Sequence, residues 1–167
     1  LLTHLKNPSS SEEIVRTCRA IGAISGSIPN KDDEQQFLVE VMTPLGGYLN
    51  NEEAAKTDPQ SHAIIYGSFL YILALYPRFL SLNWPHMKLL LEKILECYRT
   101  PCQPLQTMAV TTTKNLALRV SNQLNAKHTD QPQSFLFTLL QNAEAIASVL
   151  PEATVPILYE AMAIMIK

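Results

Sequence analysis

The stretch Phe69-Leu70-Tyr71-Ile72-Leu73-Ala74-Leu75-Tyr76-Pro77-Arg78-Phe79-Leu80-Ser81-Leu82-Asn83-Trp84 decides the fold. Apolar side chains fill nearly every position up to Tyr76, and after Pro77 a second apolar run leads to the sole tryptophan. A helix that is hydrophobic all round must be covered on every side, and a proline cannot continue it. The stretch therefore predicts a buried helix ending in a hydrophobic corner. The run Phe69 to Tyr76 is far shorter than the ~20 apolar residues of a membrane span, so no membrane insertion is expected. Its cover must come from neighbouring protein.

Composition says what those neighbours are. With five glycines in 167 residues and little alternation of apolar and polar positions, the turn signals that strands need are missing, so the expectation is all-α. Hydrophobic residues make up 47% and charged residues only 17%, a lean surface for a solitary domain but a suitable one for a stacked array. The formal net charge of −2 and pI near 6.1 leave no electrostatic footprint for nucleic acid or an anionic membrane. Three cysteines, Cys18, Cys97 and Cys102, form no disulfide framework and point to a reducing compartment. The chain starts without methionine and keeps an apolar helical pattern to Lys167, so it reads as a fragment.

Helix punctuation then divides the chain. Leu1 to Leu5 reads as a helix tail, and Asn7-Pro8-Ser9-Ser10-Ser11 as a break with Ser11 as N-cap. A helix follows from about Glu12 to Ser25, stopped by Gly26 and Pro29. The next runs from about Asp32 to Asn51, its start marked by Asp32, Asp33 and Glu34 at the positive end of the helix dipole. Phe37, Val41, Leu45 and Tyr48 form one apolar stripe on it, and Leu38, Met42 and Leu49 a second, so one neighbour cannot cover it. Residues 50–61 read as a polar loop, and the buried helix as Ser61 to Tyr76. Further helices are expected at about Trp84 to Arg99, Leu105 to Gln123, Ser134 to Val149 and Glu152 to the end, separated by Pro101, Pro104, the polar 125–133 stretch and Pro151. Thr111-Thr112-Thr113 lowers helix propensity, so tertiary packing must hold that part.

These helices pair with a period of roughly 40 residues, the rhythm of HEAT or armadillo repeats. The fold class expected is an all-α solenoid of antiparallel helix pairs: the end of one repeat and the second helix of the next at 1–31, then repeats at 32–83, 84–124 and 132–167.

No catalytic constellation is present. His4, His62, His86 and His128 do not share helical metal-site spacing, and Cys97 and Cys102 lack a second pair for zinc. No glycine-rich phosphate loop or nucleophile elbow occurs, so neither an enzyme nor a cofactor is expected. What is left is surface shape. The stripe Leu38, Met42, Leu49 and the flank Leu89, Lys93, Cys97 sit on corresponding helices of adjacent repeats, where a groove between them would suit an amphipathic peptide with spaced leucines. Spacing alone favours the simpler arrangement, in which these residues pack in the core.

A resemblance changes that balance. Ala20-Ile21-Gly22-Ala23-Ile24-Ser25-Gly26, Phe37-Leu38-Val39, Ala63-Ile64-Ile65, Tyr76-Pro77-Arg78-Phe79-Leu80 with Trp84, Met108-Ala109, Leu150-Pro151 and Tyr159-Glu160-Ala161 occur in this order. In order and spacing they resemble the central region of nuclear export receptors of the importin-β (karyopherin-β) superfamily that carry leucine-rich export signals. The resemblance implies a HEAT-repeat receptor that shuttles between nucleus and cytoplasm through the nuclear pore. Its partners would be cargo proteins, Ran-GTP and nucleoporins. It also implies that the signal binds on the outer face between the first helices of adjacent repeats, at 32–51 and 84–99. Carried over position by position, that groove is Met42, Gly46, Leu49, Tyr66, Leu70, His86, Leu89, Leu90, Lys93, Glu96 and Cys97.

The departures are chemical. The family's reactive groove cysteine, the target of electrophiles such as leptomycin, falls on Leu49, so that reactivity should be absent. An alanine becomes Tyr66, two phenylalanines become His86 and Cys97, and a leucine becomes Gly46 beside Gly47. The pockets are thus expected to be reshaped rather than closed. The segment Lys6 to Thr17 is shorter than the family's by a helix. The alternative reading is an architectural HEAT scaffold, indifferent to Ran-GTP, or another karyopherin-β transport receptor without a leucine-rich signal groove.

Overall fold

The computed structural model describes residues 2–6, 8, 10–128 and 130–167, except the side chains of Glu52 and Ala54. Every regular element among them is helical: α1 Leu2–Lys6, α2 Ser11–Ala23, α3 Lys31–Leu49, α4 Glu52–Thr57, α5 Pro59–Leu75, α6 Pro77–Leu82, α7 Trp84–Arg99, α8 Gln103–Asn125, α9 Phe135–Gln141, α10 Ala143–Ala147, a 3-10 turn Glu152–Thr154, and α11 Val155–Ile166. The all-α expectation holds. The helices gather into two units, residues 1–82 and 83–167.

In the first unit α5 is the buried centre, packed against α2, α3 and α4. Ile65, Tyr66, Phe69, Leu70, Ile72, Leu73 and Ala74 are all buried along it, as a helix without a polar face requires. It begins two residues before the expected start at Ser61, because the Asp58 carboxylate caps it by accepting from the Ser61 N–H at 3.0 Å and Pro59 fits the first turn. The expected 50–61 loop is mostly helix for the same reason, with α4 filling its first half. Gly22 of α2 permits the close approach to α5: a Cβ there would meet the Tyr71 ring at 2.6 Å and Leu75 Cδ1 at 2.8 Å.

The corner after α5 is held by polar contacts that its apolar sequence conceals. The buried Tyr76 hydroxyl donates to the Ile21 carbonyl at 2.6 Å, and burial pushes its pKa up to about 12. Arg78 reaches the Glu34 carboxylate with Nε (3.0 Å) and Nη2 (2.7 Å), and also donates to the carbonyls of Ile28 and Pro29. Glu34 is 3% exposed, so the guanidinium supplies the partner without which a carboxylate could not be buried. The acidic start of α3 is therefore divided. Asn30 caps at the Asp32 N–H, while Glu34 is a tether between α3 and α6.

In the second unit α8 is the centre, packed on α7, α9 and α11. Its threonines behave as three different residues. Thr111 is exposed and bonds back to the Thr107 carbonyl. Thr112 is buried. Thr113 donates to the Ala109 carbonyl and meets the buried Tyr98 hydroxyl of α7. Tertiary packing thus offsets the low propensity of the run. Gln106, also buried, donates to the carbonyls of Tyr98 and Val149. The α7 start is tied to the loop that follows α8: the Trp84 indole stacks on His128 with centroids 3.3 Å apart, and Asp130 accepts from Trp84 Nε1 (2.9 Å) and Lys88 Nζ (2.8 Å).

Several boundaries differ from expectation. Ser10, not Ser11, caps α2 by accepting from the Glu13 N–H; Asn7 and Ser9 of that break, Leu1 of the preceding tail and Thr129 of the 125–133 break lie outside the described residues. The helix expected at 134–149 is two, because Asn142 turns its side chain onto the Thr138 carbonyl and interrupts the ladder. Helices α3, α7 and α9 start at Lys31, Trp84 and Phe135, a spacing of about 50 residues rather than the expected 40, with α4, α6 and the 126–134 loop lying between the longer helices.

Candidate functional site

The candidate residues fall into two sets, one per unit. In the first unit Met42, Gly46 and Leu49 lie on α3, and Tyr66 and Leu70 on α5, which packs against it. Met42, Leu49, Tyr66 and Leu70 are buried, and Gly46 is half-buried. The surplus stripe expected on α3 is absent: Leu38, Met42 and Leu49 join Val41 and Leu45 in one wide buried face, while Phe37 and Tyr48 stand half-buried at its edges. The physical reason is that α1 and α6 pack on α3 in addition to α5, covering both stripes.

Sequence reasoning missed His62, which links the two parts of this set. Its Nε2 lies 3.3 Å from the Leu49 carbonyl, and its ring meets Tyr66 edge-on at 6.0 Å between centroids. The i, i+4 spacing of His62 and Tyr66 could have signalled the pair; the Leu49 contact could only come from the fold.

In the second unit all six residues lie on α7. His86, Leu89, Leu90, Lys93, Glu96 and Cys97 recur at three- and four-residue steps and so share one side of the helix. Leu90 and Cys97 point into the core and Glu96 is exposed. Leu89 is 37% exposed, an apolar side chain left in water. Lys93 bonds the Glu96 carboxylate at 2.8 and 3.1 Å, which holds its ammonium over the last turns of α7. Burial lowers the His86 pKa.

The set can offer apolar contact from Leu89 and a charged pair from Lys93 and Glu96. It offers no nucleophile with a base. Cys18 is buried, and its thiol is pushed up to about 11 by that burial. Among the described residues no group of three His, Cys, Asp or Glu could hold a metal ion, and no helix is long and apolar enough to cross a membrane.

Comparison with known proteins adds a family. The family described as CRM1 / Exportin repeat 3 matches residues 9–55, which carry α2 and α3. The chain is 30% identical over 149 residues to Exportin-1 of Dictyostelium discoideum, covering 89% of this chain and 14% of that protein. Exportin-1 of Drosophila melanogaster is equally similar over the same length. Protein EXPORTIN 1B of Arabidopsis thaliana is 27% identical over 172 residues, covering 100% of this chain and 16% of that protein. The chain therefore spans about one seventh of the length of these curated relatives. Matches that run along nearly the whole chain, with the repeat match on α2 and α3 and an all-helical fold, make this chain similar to a segment of the CRM1-type exportins.

Proposed function

We propose that this chain is part of a nuclear export receptor, and that its α3, α5 and α7 residues contribute to recognising leucine-rich export signals of cargo proteins, cooperatively with Ran-GTP. The observation that carries this reading is similarity to proteins named Exportin-1 along 89% of the chain. A transport receptor needs no catalytic group. It acts through surfaces: cargo and Ran-GTP bind together in the nucleus, nucleoporins pass the complex through the pore, and the receptor moves between nucleus and cytoplasm.

Leu89 is the contact residue on which the reading stands most directly, since it already presents apolar surface. Burying such a side chain contributes ~1.5–3 kcal/mol before the cost of ordering the peptide. Lys93 and Glu96 would meet the peptide's polar groups beside it. Leu90 and Cys97 would act as the floor beneath Leu89 on α7, and Met42, Leu49 and Leu70 as the floor of the first unit's own set, shaping each from beneath rather than by wide contact.

The burial of that floor favours a second reading, an architectural HEAT segment in which these residues only pack. Ran-GTP separates the two. In the full-length receptor, a leucine-rich peptide should bind more tightly with Ran-GTP present, and Leu89→Asp should weaken binding by about tenfold or more, the factor that 1.4 kcal/mol represents. Equal affinity in wild type and variant would remove Leu89 from the site. Indifference to Ran-GTP would favour the scaffold. A leptomycin-type electrophile should label Leu49→Cys and leave wild type untouched, whereas labelling of wild type at Cys97 would shift the register of the site along α7.

A further inference from the structure

Helix α3 concentrates its weaknesses in one short stretch. Pro44 lies inside the helix, so it has no N–H to give to the Glu40 carbonyl, and its ring crowds that carbonyl. One residue earlier the Thr43 hydroxyl donates to the Val39 carbonyl at 2.8 Å, a back-bond that bends helices. Two residues later come Gly46 and Gly47, which lose the most backbone freedom on becoming helical. A Cβ at either would find no neighbour within 4 Å. No side-chain packing at these two positions holds the turn.

The flanks are better secured. At the start, Asn30 caps the Asp32 N–H and Glu34 is clamped by Arg78. Leu38, Val41 and Met42 are buried in the core. Beyond the weak stretch, Leu49 is buried and its carbonyl meets His62, so the last turn is tethered at its end rather than along its length.

We propose that α3 is a two-part helix hinged at Thr43–Gly47, whose final turn opens and swings independently of the part from Lys31 to Met42. The hinge stands on α3 alone and does not depend on export-signal binding. Under that reading its consequence is a site that yields, because Gly46 lies in the hinge and Leu49 beyond it, and both can adjust to peptides of different girth.

Hydrogen exchange read by mass spectrometry on the full-length protein tests this. Amides at 47–50 should exchange at least about tenfold faster than those at 35–42. In Pro44→Ala/Gly46→Ala/Gly47→Ala they should slow by about tenfold or more, the factor that two glycine-to-alanine changes supply from helix propensity alone, while 35–42 stay unchanged. All three changes favour helix and the glycine sites are open, and Gly46→Ala/Gly47→Ala should give part of the effect if removing Pro44 perturbs the fold. Even protection along α3 in wild type would overturn the hinge. So would fast exchange at 47–50 that both variants leave unaltered, because that is ordinary fraying of a last turn.

Discussion

Replacing Thr113 by valine should cost the second unit more than its small change in shape suggests. The Thr113 hydroxyl gives its hydrogen to the Ala109 carbonyl at 2.9 Å, so the Tyr98 hydroxyl must be the donor in the bond between the two. Tyr98 and Thr113 are both 0% exposed, and no water can replace a lost acceptor. Valine keeps the volume and orphans the tyrosine hydroxyl, a penalty of about 1–3 kcal/mol. Tyr98→Phe instead removes the donor together with its need, leaves Thr113 bonded to Ala109, and should cost about 1 kcal/mol or less. Once the tyrosine hydroxyl is gone valine orphans nothing, so the double variant should be more stable than the sum of the singles by roughly 1–2 kcal/mol. Urea unfolding followed by Trp84 fluorescence reads this unit directly, since Trp84 is the only tryptophan and lies in it. For a unit of this size, 1 kcal/mol corresponds to about 4–8 °C in Tm, so thermal unfolding would register the same differences. Additivity of the two substitutions within about 0.3 kcal/mol would refute the reasoning, because it would mean that Tyr98 does not donate to Thr113.

Other substitutions test the first unit. Gly22→Ala and Gly46→Ala make the same chemical change with opposite expected signs. The first drives a methyl into Tyr71 and Leu75 and should destabilise by about 1–3 kcal/mol; the second meets open space and should stabilise by up to about 1 kcal/mol, so equal effects in paired denaturant titrations would contradict the packing described. Tyr76 makes the unit sensitive to alkali. Its folded pKa of about 12 lies above the model-compound value of 10.0, so the native state keeps a proton that the unfolded chain loses. The stability it contributes is complete below pH 10 and is lost as pH rises toward 12. Thermal melts of Tyr76→Phe should accordingly fall less steeply than wild type across that range.

Much of the architecture was legible from local patterns. The absence of strand signals, the buried run at 69–76 and the α7 range all follow from periodicity and from proline placement, which are properties of the chain's own backbone and side chains. The 50–61 stretch was misread because its polar composition masked a cap, Asp58 with Pro59, that starts α5 early. The 134–149 helix was overextended because Asn142 carries no period signal, although its side chain breaks the ladder. On α3 the two apolar stripes were visible, but their common burial depends on α1 and α6 arriving from either end of the unit. The candidate positions came from ordered family resemblance. Their burial or exposure came from the fold: Leu49 and Leu89 are the same residue type on similar helices, yet one is covered and the other faces water.

The division has a physical basis. Helix class, helix breaks and the weak stretch of α3 were determined by the sequence itself, since propensity, proline and glycine act within a few residues. The Arg78–Glu34 tether, the Tyr76 bond to Ile21, the Tyr98–Thr113 pair and the His62 link were decided only by tertiary structure. They join residues as much as 55 positions apart. Their partners are polar groups whose burial can be tolerated only when the fold brings them together.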